Sequence, residues 1–208
     1  MVNEIHLLLN EMERFSYPFD DRLKSIPYNG IYVQFEKGEK FNQNDRIVRV
    51  GTHNGVNQLH SRLFQHFTNE NQRRSIFRKN IGRCFLNKEK NPYLKFWNLE
   101  LTSKAEKEKN MHLVDLELEK EIEKRISVYV QSNFSFAVFE VETEEKRIFW
   151  ESKLISTLAF QSKPSNEWLG NYSTKEKIKQ SGLWQIQCLK NPKLTKDEFE
   201  ELKKIIIK

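Results

Sequence analysis

The sequence predicts an α+β protein with its elements in the order strand, strand, helix, helix, strand, helix. Three observations carry this. Residues 30–36 and 46–52 alternate apolar and polar side chains, as half-buried strands do. Several later segments repeat apolar residues at helical spacing. A third alternating segment, 134–141, falls between two of those helices.

Ile5, Leu8, Leu9 and Met12 are spaced for a first helix, which Pro18, Asp20 and Asp21 end. In the hairpin that follows, Ile31, Val33 and Phe35 point one way, joined by Val48 and Val50. Tyr32, Gln34, Glu36 and Arg49 point the other way, and this second face is expected to be exposed. The turn-rich residues 37–45 connect the strands, and Asn54-Gly55 is a turn after them. A helix over 57–68 carries Leu59, Leu63 and Phe67 as its apolar row. Arg62 and His66, four apart, share an adjoining face.

Residues 73–86 predict another helix, with Phe77, Ile81 and Phe85 inward and Arg73, Arg74, Arg78, Lys79 and Arg83 supplying charge. Asn91-Pro92 ends it, and 93–101 reads as a short strand or extended segment. Residues 102–110 are mostly Lys and Glu, hence solvated, and 111–130 form a long amphipathic helix. Residues 102–125 read as a charged helical insertion. After the third strand, a helix starts at Thr143 with Glu144 and Glu145 in its first turn, where carboxylates complement the helix dipole, and runs to about Phe160. Pro164 closes it, 165–173 is a loop, and 183–189 reads as a fourth strand. Thr195 opens a final charged helix. The expected organisation is an N-terminal helical segment 1–27, a core domain 28–173 and a C-terminal extension 174–208.

The net charge of +6 points to a polyanionic partner, nucleic acid first, although ordinary solubility accounts for it equally. The two cysteines, Cys84 and Cys188, lie far apart in no paired motif. That argues against a disulfide framework or a Cys-based zinc site and for a reducing, cytoplasmic compartment. Residues 1–9 are too short and, with Glu4, too acidic for a signal peptide, and no apolar run approaches a membrane span.

Gly30-Ile31-Tyr32, then Arg49-Val50-Gly51, then Arg62 and His66 on the next helix, then Glu151 on a helix after a further strand, stand in an order that resembles the GIY-YIG nuclease family. The first signature is literal. In the second, Arg49 stands where the family usually has Tyr. The resemblance covers about 28–170, with 102–125 outside it. It implies a small three-stranded antiparallel sheet flanked by helices, and a metal-dependent endonuclease acting on DNA, with restriction or defence as one role. The family's late loop Asn is matched by Asn166, with Asn171 second. Cutting both strands with one site per chain suits a homodimer.

Under that resemblance Tyr32, Arg49, Arg62, His66 and Glu151 are the catalytic residues, and Glu151 is the ligand for Mg²⁺ or Mn²⁺. A single carboxylate suits Mg²⁺, which keeps several waters and takes phosphate oxygen as another ligand. Arg62 would neutralise the scissile phosphate through its fixed fork of donors. His66 would donate to phosphate or take a proton from water. Tyr32 would polarise or deprotonate the water, which needs something to stabilise its phenolate. Arg49 stays protonated and is no base, but its charge across the hairpin would favour that phenolate. Asn166, His53, Arg74, Arg78 and Lys79 are the expected substrate contacts, the last three through an Arg-rich backbone-binding helix. Two other readings fit parts of the sequence. One is a catalytically inactive nucleic-acid-binding module of the same fold, for which Arg49 speaks. The other is a basic interaction protein in which Gly-Ile-Tyr is coincidental.

Overall fold

The computed structural model describes residues 1–207. Four antiparallel strands form one sheet in the order β1-β4-β2-β3. They are β1 (Phe15–Ser16), β2 (Gly30–Phe41), β3 (Asn44–Gly51) and β4 (Phe134–Glu140). The predicted hairpin is β2–β3, and the third predicted strand is β4, which pairs with β2 from Gly30↔Glu140 to Glu36↔Phe134. The fourth strand is not 183–189. That segment makes one backbone bond to the sheet edge, Trp184 N to Val48 O at 2.8 Å. The two-residue β1 takes the place instead.

Helices cover both faces. Against one face pack α1 (Val2–Asn10), α7 (Glu144–Leu158) and α9 (Lys196–Ile206). Ile31, Val33, Phe35, Ile47 and Val50 meet Ile5, Leu9, Trp150, Leu154, Phe199 and Leu202 there. The segments before and after the expected core domain thus enter its core. Thr143 caps α7 by accepting the Lys146 N–H, and Thr195 and Glu198 form a capping box on α9.

The second face is buried too, which corrects the expectation that it is exposed. It is covered by α2 (Leu59–Phe67), α3 (Ile76–Lys88) and α6 (Leu116–Asn133). Tyr32, Leu63, Phe67, Phe77, Ile81, Ile126 and Phe136 share this core. Here the pairing steps from Gln34↔Arg49 to Phe35↔Ile47, so β3 has one extra residue, Val48. This bulge turns Val48 into the Tyr32-side core, not the Ile31 side where simple alternation puts it.

Residues 93–101 hold a short helix, α4 (Leu94–Trp97), in place of a strand, because Trp97 is drawn inward and donates from Nε1 to Lys79 O at 3.0 Å. Within 102–125 the two halves differ. The helix α5 (Lys104–Asn110) has no buried residue, whereas the part of α6 within the range contributes Ile122 to the core. A further short helix, α8 (Glu176–Ser181), precedes the Trp184 segment. No helix among the described residues is long and apolar enough to cross a membrane.

Candidate active site

Two glycines shape the site by what they lack. A Cβ on Gly51 would lie 2.2 Å from the Tyr32 hydroxyl oxygen, so the Tyr32 ring occupies the space a side chain would fill. A Cβ on Gly30 would lie 2.4 Å from Phe139 O on the neighbouring strand. Tyr32 is paired with Gly51, and Gln34 with Arg49, so Tyr32 and Arg49 share one face of the sheet as expected.

The Tyr32 hydroxyl oxygen lies 2.7 Å from His66 Nε2, and His66 Nδ1 lies 2.8 Å from Ser75 Oγ. All three residues are fully buried. Burial holds His66 well below the usual imidazole range, and the charges of Arg49, Arg62 and Arg78 add to this. His66 is therefore neutral at physiological pH. Arg49 donates from Nη1 to Trp184 O at 2.7 Å and lies over the Phe77 ring. Arg62 is half-buried and donates to Gln65 Oε1 and Arg74 O.

Glu151 comes from α7, on the other side of the sheet, and meets the chain where β3 ends. Its Oε1 accepts the Thr52 N–H at 3.1 Å. Thr52 in turn donates to Gly30 O at 2.8 Å. Burial pushes the Glu151 carboxyl upward, opposed by Arg49, the Thr52 N–H and Arg62. The same two arginine charges thus reach both His66 and Glu151. Tyr32, His66, Arg49, Arg62 and Glu151 are gathered at one end of the hairpin. A pocket of about 280 Å³ opens beside them, lined by Thr52, His53, Asn54, Ser61, Arg62 and Gln65 among others. His53 is buried there and accepts from Gly30 N, at 3.4 Å.

A model of the GIY-YIG domain matches residues 5–208. The chain belongs to this family. No curated protein and no solved structure matches it. GIY-YIG domains are generally those of nucleases, and such nucleases generally use a divalent metal ion. In this GIY-YIG chain Glu151 fits such an ion. Its Oε2 makes no hydrogen bond within the described residues, so the half-buried carboxylate has an oxygen left to offer a cation. No cluster of three or more acidic, His or Cys side chains exists among the described residues, so a metal here would rest on one carboxylate, waters and substrate.

The structure moves other expected residues away. Asn166 is exposed in a loop whose Ser165 bonds Glu39. Glu39 lies seven residues along β2 from Tyr32, about 23 Å at 3.3 Å per residue. Arg78 and Lys79 are not a DNA-facing stripe. Arg78 is fully buried in an ion pair with Glu123 at 2.6 Å, and Lys79 is buried against Glu100 at 2.9 Å. Helix α3 is a core element, and its charges answer partners from α6 and the 98–100 segment. Arg74 alone of the three is exposed, and no ion pair holds it among the described residues.

Three residues near the site were not anticipated. Ser75 meets His66, Trp184 O holds Arg49, and Gln185 Oε1 accepts the Val50 N–H at 3.0 Å. Ser75 carried one signal, as a Ser three residues before Arg78 at a helix start. The other two come from a loop 135 positions away from the strand they touch, beyond any local pattern.

Proposed function

We propose that this GIY-YIG chain is a metal-dependent endonuclease that hydrolyses phosphodiester bonds of DNA, in a restriction or defence setting. The supporting observation is that the Tyr32–His66 pair and Glu151 lie under the same two arginine charges at the Gly51 end of β3. Arg62, on the rim of the pocket, would neutralise the phosphate, and Arg49, held from behind by Trp184 O, would add a fixed positive charge. Tyr32 acts on the attacking water, with His66 holding its oxygen. Glu151 would hold Mg²⁺ or Mn²⁺, which supplies charge relief on the phosphoryl oxygens and on the leaving oxygen. Two chains would serve the two strands of a duplex.

One observation favours a second reading, an inactive nucleic-acid-binding module. Tyr32 has no exposed surface. Catalytic contacts that form only with substrate answer this, since unliganded geometry is often incomplete. Incubation with supercoiled plasmid and Mg²⁺ decides between the readings. Nicked or linear product, lost with Glu151→Ala and with a chelator, supports the nuclease. Retarded but intact plasmid supports the binding module.

A further inference from the structure

We propose that Gln65 is a second phosphate-binding residue beside Arg62, and that its side-chain carbonyl fixes which edge of the Arg62 guanidinium meets the phosphate. The role of that phosphate as the one being cut rests on the nuclease reading. Both residues are half-buried on α2, three apart, and both line the pocket of about 280 Å³. Arg62 Nη1 donates to Gln65 Oε1 at 3.1 Å and to Arg74 O at 3.2 Å. Its two N–H groups thus have two acceptors. Nε and Nη2 make no hydrogen bond among the described residues, and neither is enclosed. A guanidinium grips an oxyanion through two parallel N–H groups on one edge. With Nη1 taken, the edge that remains is the one formed by Nε and Nη2.

Both acceptors that hold Arg62 are neutral, and no residue lining the pocket is acidic. The charge of Arg62 therefore stays available to an anion. Gln65 completes the donor set. Arginine has no acceptor, so Gln65 turns its carbonyl oxygen to Arg62 and its NH₂ group away. That Nε2 has no partner among the described residues and is not enclosed. It is a neutral donor in the same pocket as the open Arg62 edge. A glutamate at this position would clamp Arg62 more tightly. It would also cancel the charge and put an acceptor where the donor stands. An apolar side chain would neither clamp nor donate. The amide holds the cation, leaves it charged and adds a donor of its own.

Arginine Nε–Hε and glutamine NH₂ correlations of the ¹⁵N-labelled full chain read this without any activity, with Arg62→Lys and Gln65→Met assigning the two signals. The probes are inorganic phosphate and a short DNA duplex, both without divalent metal so that nothing is cut. Each should move the Arg62 Nε–Hε and Gln65 NH₂ signals together along one saturating curve. In Gln65→Glu the phosphate affinity read at Arg62 should fall roughly tenfold to a hundredfold, the scale of one charge-assisted hydrogen bond. Gln65→Met should fall between wild type and Gln65→Glu. A residue that only clamped Arg62 would be replaced well by glutamate and badly by methionine, so that order of the two variants overturns the proposal. If neither probe moves both signals together, the proposal also falls, and plasmid cleavage by the same chain would leave the nuclease reading standing without it. Shifts at both residues with phosphate and none with the duplex would leave the phosphate site standing and sink the nuclease reading.

Discussion

Two glutamates, buried Glu36 and half-buried Glu151, sit at opposite ends of the same problem. Glu36, midway along β2, accepts the indole N–H of Trp168 and of Trp184, both at 2.8 Å, and the hydroxyl of Tyr129. Glu151 accepts one backbone N–H and keeps an oxygen unused. Burial pushes both carboxyls upward. Perturbed titration therefore does not tell them apart. What differs is leftover acceptor capacity. Glu36 is saturated by its own chain and ties two loop tryptophans and α6 to the sheet. Glu151 is unsaturated where the sheet ends and a pocket begins. An unsaturated, partly buried charge points to a ligand, and a saturated, buried one to structure.

The largest effect expected from this contrast is on stability. Glu36→Ala strips the partner from two buried indole N–H groups and a phenol at once. Each orphaned buried group costs about 1–3 kcal/mol. A loss of about 3–5 kcal/mol is expected by urea denaturation, a large part of the roughly 5–15 kcal/mol a domain has. A loss below about 1 kcal/mol would show that the saturated network is dispensable and break the comparison.

Glu151→Gln should do the reverse. Cleavage is expected to fall at least about a hundredfold, the scale for removing one electrostatic contact to the transition state. Stability should not fall. A carboxyl whose pKa is raised on folding contributes stability at low pH and loses it as pH rises through the folded value, so at neutral pH the charged Glu151 weighs against the fold. A parallel melt and plasmid assay checks both halves. Normal cleavage with a lowered melting point would place Glu151 with Glu36 as a structural group.

The histidine between the arginines sharpens the same contrast through pH. The folded His66 value is depressed, so its contribution is present above the ordinary histidine value of about 6.5 and is lost as pH falls toward the folded value. The slope approaches about 1.4 kcal/mol per pH unit for one histidine. Glu36, Glu123 and Glu151, all raised, tilt the curve the other way in the acid range, so the difference between wild type and His66→Gln isolates the histidine. Urea midpoints from pH 7 to 5 should fall less steeply in His66→Gln. Equal slopes would mean that His66 titrates normally in the fold.

The hairpin, its partner strand and the helices bearing Arg62, His66 and Glu151 were legible because each is a local pattern, of period two or of helical spacing. Burial of the Tyr32 face was not. Tyr32, Gln34, Glu36 and Arg49 alternate with apolar residues as an exposed face would, and the partners of Tyr32, Glu36 and Arg49 lie far away in sequence, in His66, Tyr129, Trp168 and Trp184. Asn166 failed for a related reason, since a loop residue takes its position from what anchors the loop, and here that anchor is Glu39. The two-residue β1 is too short to show a period.

Arginines of α3 and the turn before it carry the smallest prediction and extend the criterion from acids to bases. Arg78 is saturated. It donates to Glu123, to His66 O and to Ser127, with no exposed surface. Arg74 is exposed and unpaired among the described residues, and its carbonyl receives Arg62, which sets its backbone beside the site. If unsaturated groups meet the ligand, Arg74→Ala should weaken duplex binding a few-fold and lower the slope of log affinity against log salt by about 0.9, the release of one phosphate counterion. Its urea midpoint should stay put, because surface substitutions fall within about 0.5 kcal/mol. Arg78→Ala should instead leave Glu123 buried without its partner, which costs about 3–5 kcal/mol, and leave the salt slope unchanged in whatever fraction remains folded. Binding titrations at several salt concentrations measure this directly. A salt slope that drops for Arg78→Ala and not for Arg74→Ala would mean that α3 turns its core face to DNA, and the distinction between saturated and unsaturated charge would fail for this protein.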